Sequence, residues 1–379
     1  MSQARRAEIK ILYENKDISR DIAPYLLSFT FNDNSGDKSD DINISLSDRD
    51  SLWVADWFPS KGDTIRANII LHDWDKGGTT QTLPCGLFEI DEIKYQCPPR
   101  VIEIKGVSAK ITSSINSEKH NKAWENVKLS TIAQDLAVSN NLSLFYDVPG
   151  DVNIERREQS EKSDLEFLRD TCDDYGLSVK ISGDKLIIYD EESYQDRPSV
   201  TEIKCNDSHV INWSFSTKAA GIYKSARVRY HDAKKNQTFI AQEDDNNTEG
   251  TSRILEINER VENEADAKLL AHKRLKEANS REITGSITLF GDLRFLAGVN
   301  ITCKDFGIFD GVYSVESVTH KITDGYTTTL NLKMGDKSKA QAKSNKSKRQ
   351  SKSNKKTAPA KPEAPKPGFY EGDKYYGKK

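Results

Sequence analysis

Apolar and polar residues alternate through the first hundred positions in short runs separated by small polar turns. Alternation with a period of two predicts half-buried strands, over residues 7–13, 26–32, 42–47, 64–71, 87–95 and 101–107. The stretches NDNSGDKSDD (32–41) and HDWDKGGTT (72–80) have loop chemistry. From about residue 109 the period changes. Leu129, Ile132, Ala133, Leu136 and Ala137 follow the spacing of an amphipathic helix. A second helix is marked by the capping box Ser163/Glu166, the stripe Leu165, Leu168, Cys172 and Tyr175, and a stop at Gly176. LSVKISGDKLIIYD then predicts a hairpin turning at Gly183-Asp184. Strand signals return over 210–215, 225–231, 283–289, 300–305, 312–320 and 327–333. One helix interrupts them, capped by Asn263, with Ala267, Leu270, Ala271, Leu275 and Ala278 on one side.

The two β regions repeat each other. GLFEIDEI (86–93) and GVYSVESV (311–318) share one pattern about 225 residues apart. In each copy two inward residues (Phe88 and Ile90; Tyr313 and Val315) are followed by an aliphatic out of phase (Ile93; Val318). A β-bulge produces that step, because one extra residue flips every later side chain. GDTI (62–65) before the first copy is echoed by GVNI (298–301) before the second. Each copy is followed by a turn and an alternating strand, VIEIKGV and TTTLNLKM. The expected fold is mainly β (α+β): two similar β-barrel domains, residues 1–108 and 209–334, flank a mixed α+β insert, 109–208. Residues 335–379 form a Lys/Ser/Pro-rich tail.

Composition sharpens this picture in one respect. The net charge of −3 conceals a basic tail, with fourteen Lys and Arg against four acids after residue 334, and an acidic body of about −13. The tail cannot bury a core and is expected to be extended or disordered alone. No apolar run is long enough to span a membrane, and MSQARRAEIKILYENKD lacks a signal peptide's apolar core. The expectation is a chain made in a cytoplasm, neither exported by that route nor inserted in a membrane. Cys85, Cys97, Cys172, Cys205 and Cys303 are scattered without metal-ligand spacing, so reduced structural thiols are expected, and a Cys85–Cys97 disulfide is disfavoured.

Candidate chemistry is sparse. The six histidines lack an H-E-x-x-H arrangement, and neither a P-loop, a G-x-G-x-x-G nor a G-x-S-x-G occurs. His320, in VTHKIT, reads as a structural hydrogen-bonding residue. With 59 acids in the chain, pairing any two carboxylates for hydrolysis carries no information. No catalytic residue, cofactor or metal is expected. Trp53, Trp57 and Phe58 could plug a barrel end or anchor a partner. Phe369, Tyr370, Tyr375 and Tyr376 place aromatic anchors at the end of the tail.

GLFEIDEIKYQCPPRVIEIKGVSA (86–109), VKLSTIAQDLA (127–137), SDLEFLRDTCDDYGLSVK (163–180) and FLAGVNITCKDFGIFDGVYSVESVTHKITDGYTTTLNL (295–332) resemble the late control gene D protein family. These are baseplate hubs of contractile phage tails and phage-tail-like bacteriocins, more distantly similar to the hub half of type VI secretion spike proteins. The resemblance covers about residues 1–334. It implies a homotrimer whose six barrels imitate a sixfold ring, adapting a hexameric tail tube to a trimeric spike. It also implies wedge and tape-measure neighbours, and a central channel through which DNA passes without specific binding, which an acidic body would suit. No repetitive β-helix follows residue 334, so a separate spike protein is expected, and the aromatic tail tip is expected to dock on a baseplate neighbour. A baseplate cell-wall hydrolase and a monomeric adhesin or carbohydrate-binding module are the alternative readings.

Overall fold

The computed structural model describes residues 4–334 apart from 37, 109–114, 116–117, 183–184, 233–235, 246–247, 249–250 and 262, together with 369–371 and 374–376. Two units are distinguished, residues 1–337 and 338–379. The expected hairpin turn at Gly183-Asp184 and the tail over 335–368 lie outside the described residues.

The chain opens with β1 (Arg6–Tyr13), β2 (Lys16–Asp17) and a short helix α1 (Ser19–Ile22), followed by β3 (Leu26–Asn34) and β4 (Asp41–Ser47). β5 (Thr64–His72), β6 (Thr80–Gln96) and β7 (Val101–Val107) complete the first region. The alternation seen in the sequence is the alternation of burial: Ile65, Ala67, Ile69 and Leu71 of β5 all point inward. β6 runs seven residues further upstream than the pattern predicts. Its first half contains Pro84, and the register shifts there, with Gly86 opposite Ala67 and Pro84 opposite Asn68. Proline is tolerated at a bulge, where a ladder hydrogen bond is already missing, so TLPCG looks like a turn and is a strand.

The insert comprises β8 (Lys119–Lys128), α2 (Leu129–Ser139), β9 (Ser143–Asp147), β10 (Asn153–Ser163) and α3 (Asp164–Asp174), then β11 (Ser178–Ser182), β12 (Lys185–Tyr189) and α4 (Glu191–Gln195). All five residues of the expected α2 stripe are buried. Ser163 caps α3, its Oγ accepting from the Glu166 N–H at 3.3 Å. The predicted hairpin is the β11–β12 antiparallel pair, with β9 added parallel to β12. The charged ribbon β8–β10 is antiparallel; it has little apolar alternation and is not evident from the pattern.

β13 (Thr201–Lys204) and β14 (Val210–Thr217) lead into β15 (Ser225–Asp232), β16 (Gln237–Asp244), β17 (Ile254–Ile257) and α5 (Glu264–Ser280). β18 (Ile283–Phe290), β19 (Asn300–Lys304), β20 (Gly311–Ile322) and β21 (Tyr326–Met334) follow. Here one expectation is corrected. The strand expected at 225–231 does not join the second β region: β15 forms its own sheet with β16 and β17. Ala226, Val228, Phe239 and Ile257 pack there against Ala267, Leu270 and Leu275 of α5 in a separate core. The Asn263 cap is present, accepting from the Asp266 N–H at 2.9 Å.

The mainly β, mixed class is as expected. The remaining strands form one sheet, with the path β14-β18-β21-β20-β3-β4-β7-β6-β5-β1-β2 and β19 and β13 branching from β20. Among the described residues no pairing closes either strand set on itself. The two sets are fused edge to edge instead, β20 against β3.

The repeat extends to individual registers. In the first set the order is β3-β4-β7-β6-β5; in the second, β14-β18-β21-β20-β19, all neighbours antiparallel. The register of β6 on β7 shifts between Ile90 and Glu92, and that of β20 on β21 between Val315 and Ser317. The expected bulges thus fall at equivalent positions. A second matched bulge was not visible in the sequence: β3 on β4 shifts between Leu26 and Ser28, and β14 on β18 between Val210 and Asn212. The entry turns match as well. The Gly62 N–H donates to the Ile90 carbonyl at 2.9 Å, and the Gly298 N–H to the Val315 carbonyl at 2.8 Å. Both glycines have φ of +87°, a left-handed backbone that favours glycine.

The second unit contributes one described element, the antiparallel pair β22 (Phe369–Glu371) and β23 (Lys374–Tyr376).

Candidate interaction surface

The joint between the two β sets gathers a buried polar constellation. β20 lies antiparallel on β3 from Ser317↔Asn34 to Ile322↔Phe29. His320, opposite Phe31, is fully buried. Its ring stacks on Phe31 at 5.9 Å, and its Nδ1 lies 2.7 Å from the Tyr326 hydroxyl. Burial lowers its pKa to about 4, so the imidazole is neutral near pH 7. The expected hydrogen-bonding role is what the geometry supports.

Asp33 ties three parts together at this joint. One carboxylate oxygen accepts from the Ala297 N–H of the second set at 2.8 Å, and the other from the Lys180 ammonium of the insert at 3.0 Å. Lys180 also reaches Asp40 at 2.8 Å and the Asn34 carbonyl at 2.6 Å. Burial, aided by the charge of Asp33, outweighs Lys180 and raises the Asp40 pKa to about 6. Beside this cluster is a polar cleft of about 370 Å³, whose lining includes Gly36, Glu191, Glu192, Lys273 and Lys333. Its charges satisfy one another. Lys273 meets Asp190 at 2.9 Å and Glu192 at 3.1 Å, Lys276 meets Glu192, and Lys333 meets Glu191 at 2.6 Å. Burial alone would raise the Glu192 pKa, but hydrogen bonds from Lys276 and Lys273 prevail and hold it at about 2. The cleft is a seam between elements, held by paired charges.

The aromatic candidates divide. Trp53 is buried in the first core, its ring edge-on to Trp57 at 5.4 Å. Trp57 is 38 % exposed and Phe58 52 %, next to Val54 at 55 %. Trp53 is thus the floor on which an exposed apolar rim stands. Phe369 pairs with Tyr376 and Tyr370 with Tyr375 in the β22–β23 register. Sequence reasoning missed a second exposed group, Ile211 and Trp213 on β14, each 44 % exposed. Placing β14 on the sheet's outer edge would have needed the strand order. Among the described residues no group of three or more His, Cys, Asp or Glu is arranged to hold a metal. Among the described residues no cysteine is in a disulfide; Cys85 is buried within β6 and Cys97 is exposed just past its end.

Two like β sets are thus joined edge to edge through β20 and β3, and Lys180 ties the insert to that joint by ion pairs with Asp33 and Asp40. The YQBQ-like family model matches residues 100–334. This chain belongs to that family. It is 28 % identical over 180 residues to a protein of Escherichia phage P2 named "Probable baseplate hub protein". That match spans 47 % of this chain and 43 % of the relative, less than half of each. The resemblance to phage baseplate hubs seen in the sequence is therefore present among curated relatives. Among solved structures, a tail protein from Neisseria meningitidis MC58 shares the fold with TM-score 0.66 and 12 % identity, over 86 % of this chain and 96 % of its own. The E. coli c3393 protein, described as a component of the type VI secretion system, aligns with TM-score 0.50 and 11 % identity. That alignment covers 82 % of this YQBQ-like chain and 74 % of c3393.

Proposed function

We propose that this protein is a structural hub of a phage-tail or tail-like baseplate, three copies closing into a ring of six similar β sets. Such a ring has true threefold and approximate sixfold symmetry, so it can join a sixfold tube on one face to a threefold spike on the other. One observation carries the reading: two five-strand sets of identical order, with two bulges and one glycine turn at equivalent positions. A chain that needed only one binding surface would gain nothing from so close an internal copy. The names of the phage P2 relative and of the Neisseria tail protein support the same role.

In this role the partners are the tube protein, the spike and the wedge proteins, with the tape-measure protein and DNA inside the ring, and the particle's baseplate is the location. The acidic body suits a channel wall that phosphates do not stick to. Trp57 and Phe58 would seat one neighbour, and the β22–β23 pair would carry Phe369, Tyr370, Tyr375 and Tyr376 to another. The role is mechanical, without catalysis. Native mass measurement of the full chain, alone and with its spike protein, tests the ring: trimers are expected in at least one condition. Monomers in both would remove the adapter reading and favour a monomeric adhesin. Clearing of peptidoglycan in a zymogram would instead favour the hydrolase.

A further inference from the structure

The internal repeat maps each residue of one β set onto the other, and the map leaves two strand edges without partners among the described residues. Strand β20 is bordered on one side by β19 over its first residues and then by β3. Its counterpart β6 is bordered on the same side by β5 up to Glu89, and past the bulge, at residues 92–96, only β7 pairs with it. Strand β3 lies between β4 and β20, whereas its counterpart β14 pairs only with β18 and ends the sheet.

Burial follows the same division. Phe29, inside the joint, is 0 % exposed, and its counterpart Trp213 is 44 % exposed. Val318 and His320 are fully buried, while their counterparts Ile93 and Tyr95 are half-buried. Ile322 is buried and its counterpart Cys97 is exposed. The equivalent positions lose burial where the chain's own joint has no copy.

We propose that residues 92–97 of one protomer pair antiparallel with β14 of the next, reproducing between chains the joint that β20 and β3 make within each. Transferring that register through the repeat gives Glu92 opposite Lys218, Ile93 opposite Thr217, Lys94 opposite Ser216, Tyr95 opposite Phe215, Gln96 opposite Ser214 and Cys97 opposite Trp213. The pairing sets an acid against a base and an aromatic against an aromatic, both favourable cross-strand combinations. The occupant is a second copy of this chain because the two edges are complementary halves of one joint. Each protomer carries both halves on different strands, so the contact is head-to-tail and must close or run on. The inference rests on the ring reading and specifies its interface.

The test is disulfide trapping. In a Cys97→Ser background, Lys94→Cys with Ser216→Cys places two exposed positions opposite each other, within the Cα separation a disulfide spans. Lys94→Cys with Asn212→Cys shifts the partner by four residues, roughly 13 Å along the strand, too far to bridge. Glu92→Cys with Lys218→Cys is a second matched pair, should the first perturb folding. Mild oxidation of the trimeric full chain should give a ladder of two and three linked chains for matched pairs and little linkage for the shifted pair. A trimer by native mass that leaves matched pairs unlinked, or links the shifted pair equally, overturns the strand assignment and leaves the ring standing. A ladder running past three chains overturns closure, and a monomer in every condition overturns the ring itself.

Discussion

His320 shows how one buried side chain links the joint to pH. Its folded-state pKa of about 4 lies below the ordinary 6.5, so on acidification the unfolded chain takes up a proton before the folded one does. Stability from this residue is complete above about pH 6.5 and falls as pH drops toward 4. At about 1.4 kcal/mol per pH unit the loss approaches roughly 3 kcal/mol. Asp40 works in the opposite sense, because its raised pKa makes the folded state the better proton acceptor between about pH 4 and 6. The informative measurement is therefore a difference. The unfolding free energy of wild type minus that of His320→Gln, from urea titrations, should fall steadily between pH 7 and pH 4. A flat difference would mean that the imidazole is not held neutral by burial. A second residue-scale test concerns Gly285. A Cβ there would lie 2.3 Å from the Phe215 ring, which is itself packed among Phe306, Phe309 and Tyr313. The paired position reverses between the sets: Ile42 faces Gly106 in the first, and Gly285 faces Leu332 in the second. Gly285→Ala should cost about 1–3 kcal/mol through overpacking, read as a lower denaturant midpoint with unchanged slope.

At the scale of elements, what the sequence revealed depended on which physical signal placed each one. Strands with one wet face and helices with a capping side chain announced themselves: β7 runs over Val101–Val107 as expected, and α3 starts after Ser163. The bulge in β6 was legible because it breaks alternation inside an apolar run. The bulges at Leu27 and Ile211 were not, because both residues are large, apolar and exposed, leaving no change of phase to see. The β8–β10 ribbon and the separate β15–β17 sheet were missed for a related reason. Ladder hydrogen bonds between charged or mixed strands leave no hydrophobic period, and which sheet a strand joins is a tertiary choice. The exposed Trp213 edge escaped with them. Cap strength offers a direct check on the elements that were found. Replacing Ser163 or Asn263 by alanine should each cost about 1 kcal/mol. A thermal melt should register the loss at Asn263 no less than at Ser163, since its bond is the shorter, 2.9 Å against 3.3 Å.

For the whole molecule, the question is what makes two β sets and an insert behave as one body. The Asp33–Lys180–Asp40 cluster sits where all three meet, and its partners come from segments 140 to 264 residues apart in the chain. Lys180 is 13 % exposed and is the cation that both carboxylates share. Replacing it with methionine keeps the length of the side chain but leaves Asp33 and Asp40 facing each other without that charge. Breaking a buried pair from one side costs about 3–5 kcal/mol, because the stranded charge must be desolvated without compensation. Replacing all three with apolar residues need not cost nearly as much. The expected result is that Lys180→Met unfolds at much lower denaturant than wild type at pH 7, and recovers part of the deficit near pH 5. At that pH Asp40, already inclined to hold its proton, becomes neutral more readily once the lysine is gone. If the deficit were the same at both pH values, the loss would lie in side-chain packing, and the cluster would not be an electrostatic tie. If it narrows, the insert is fastened to the joint by charge.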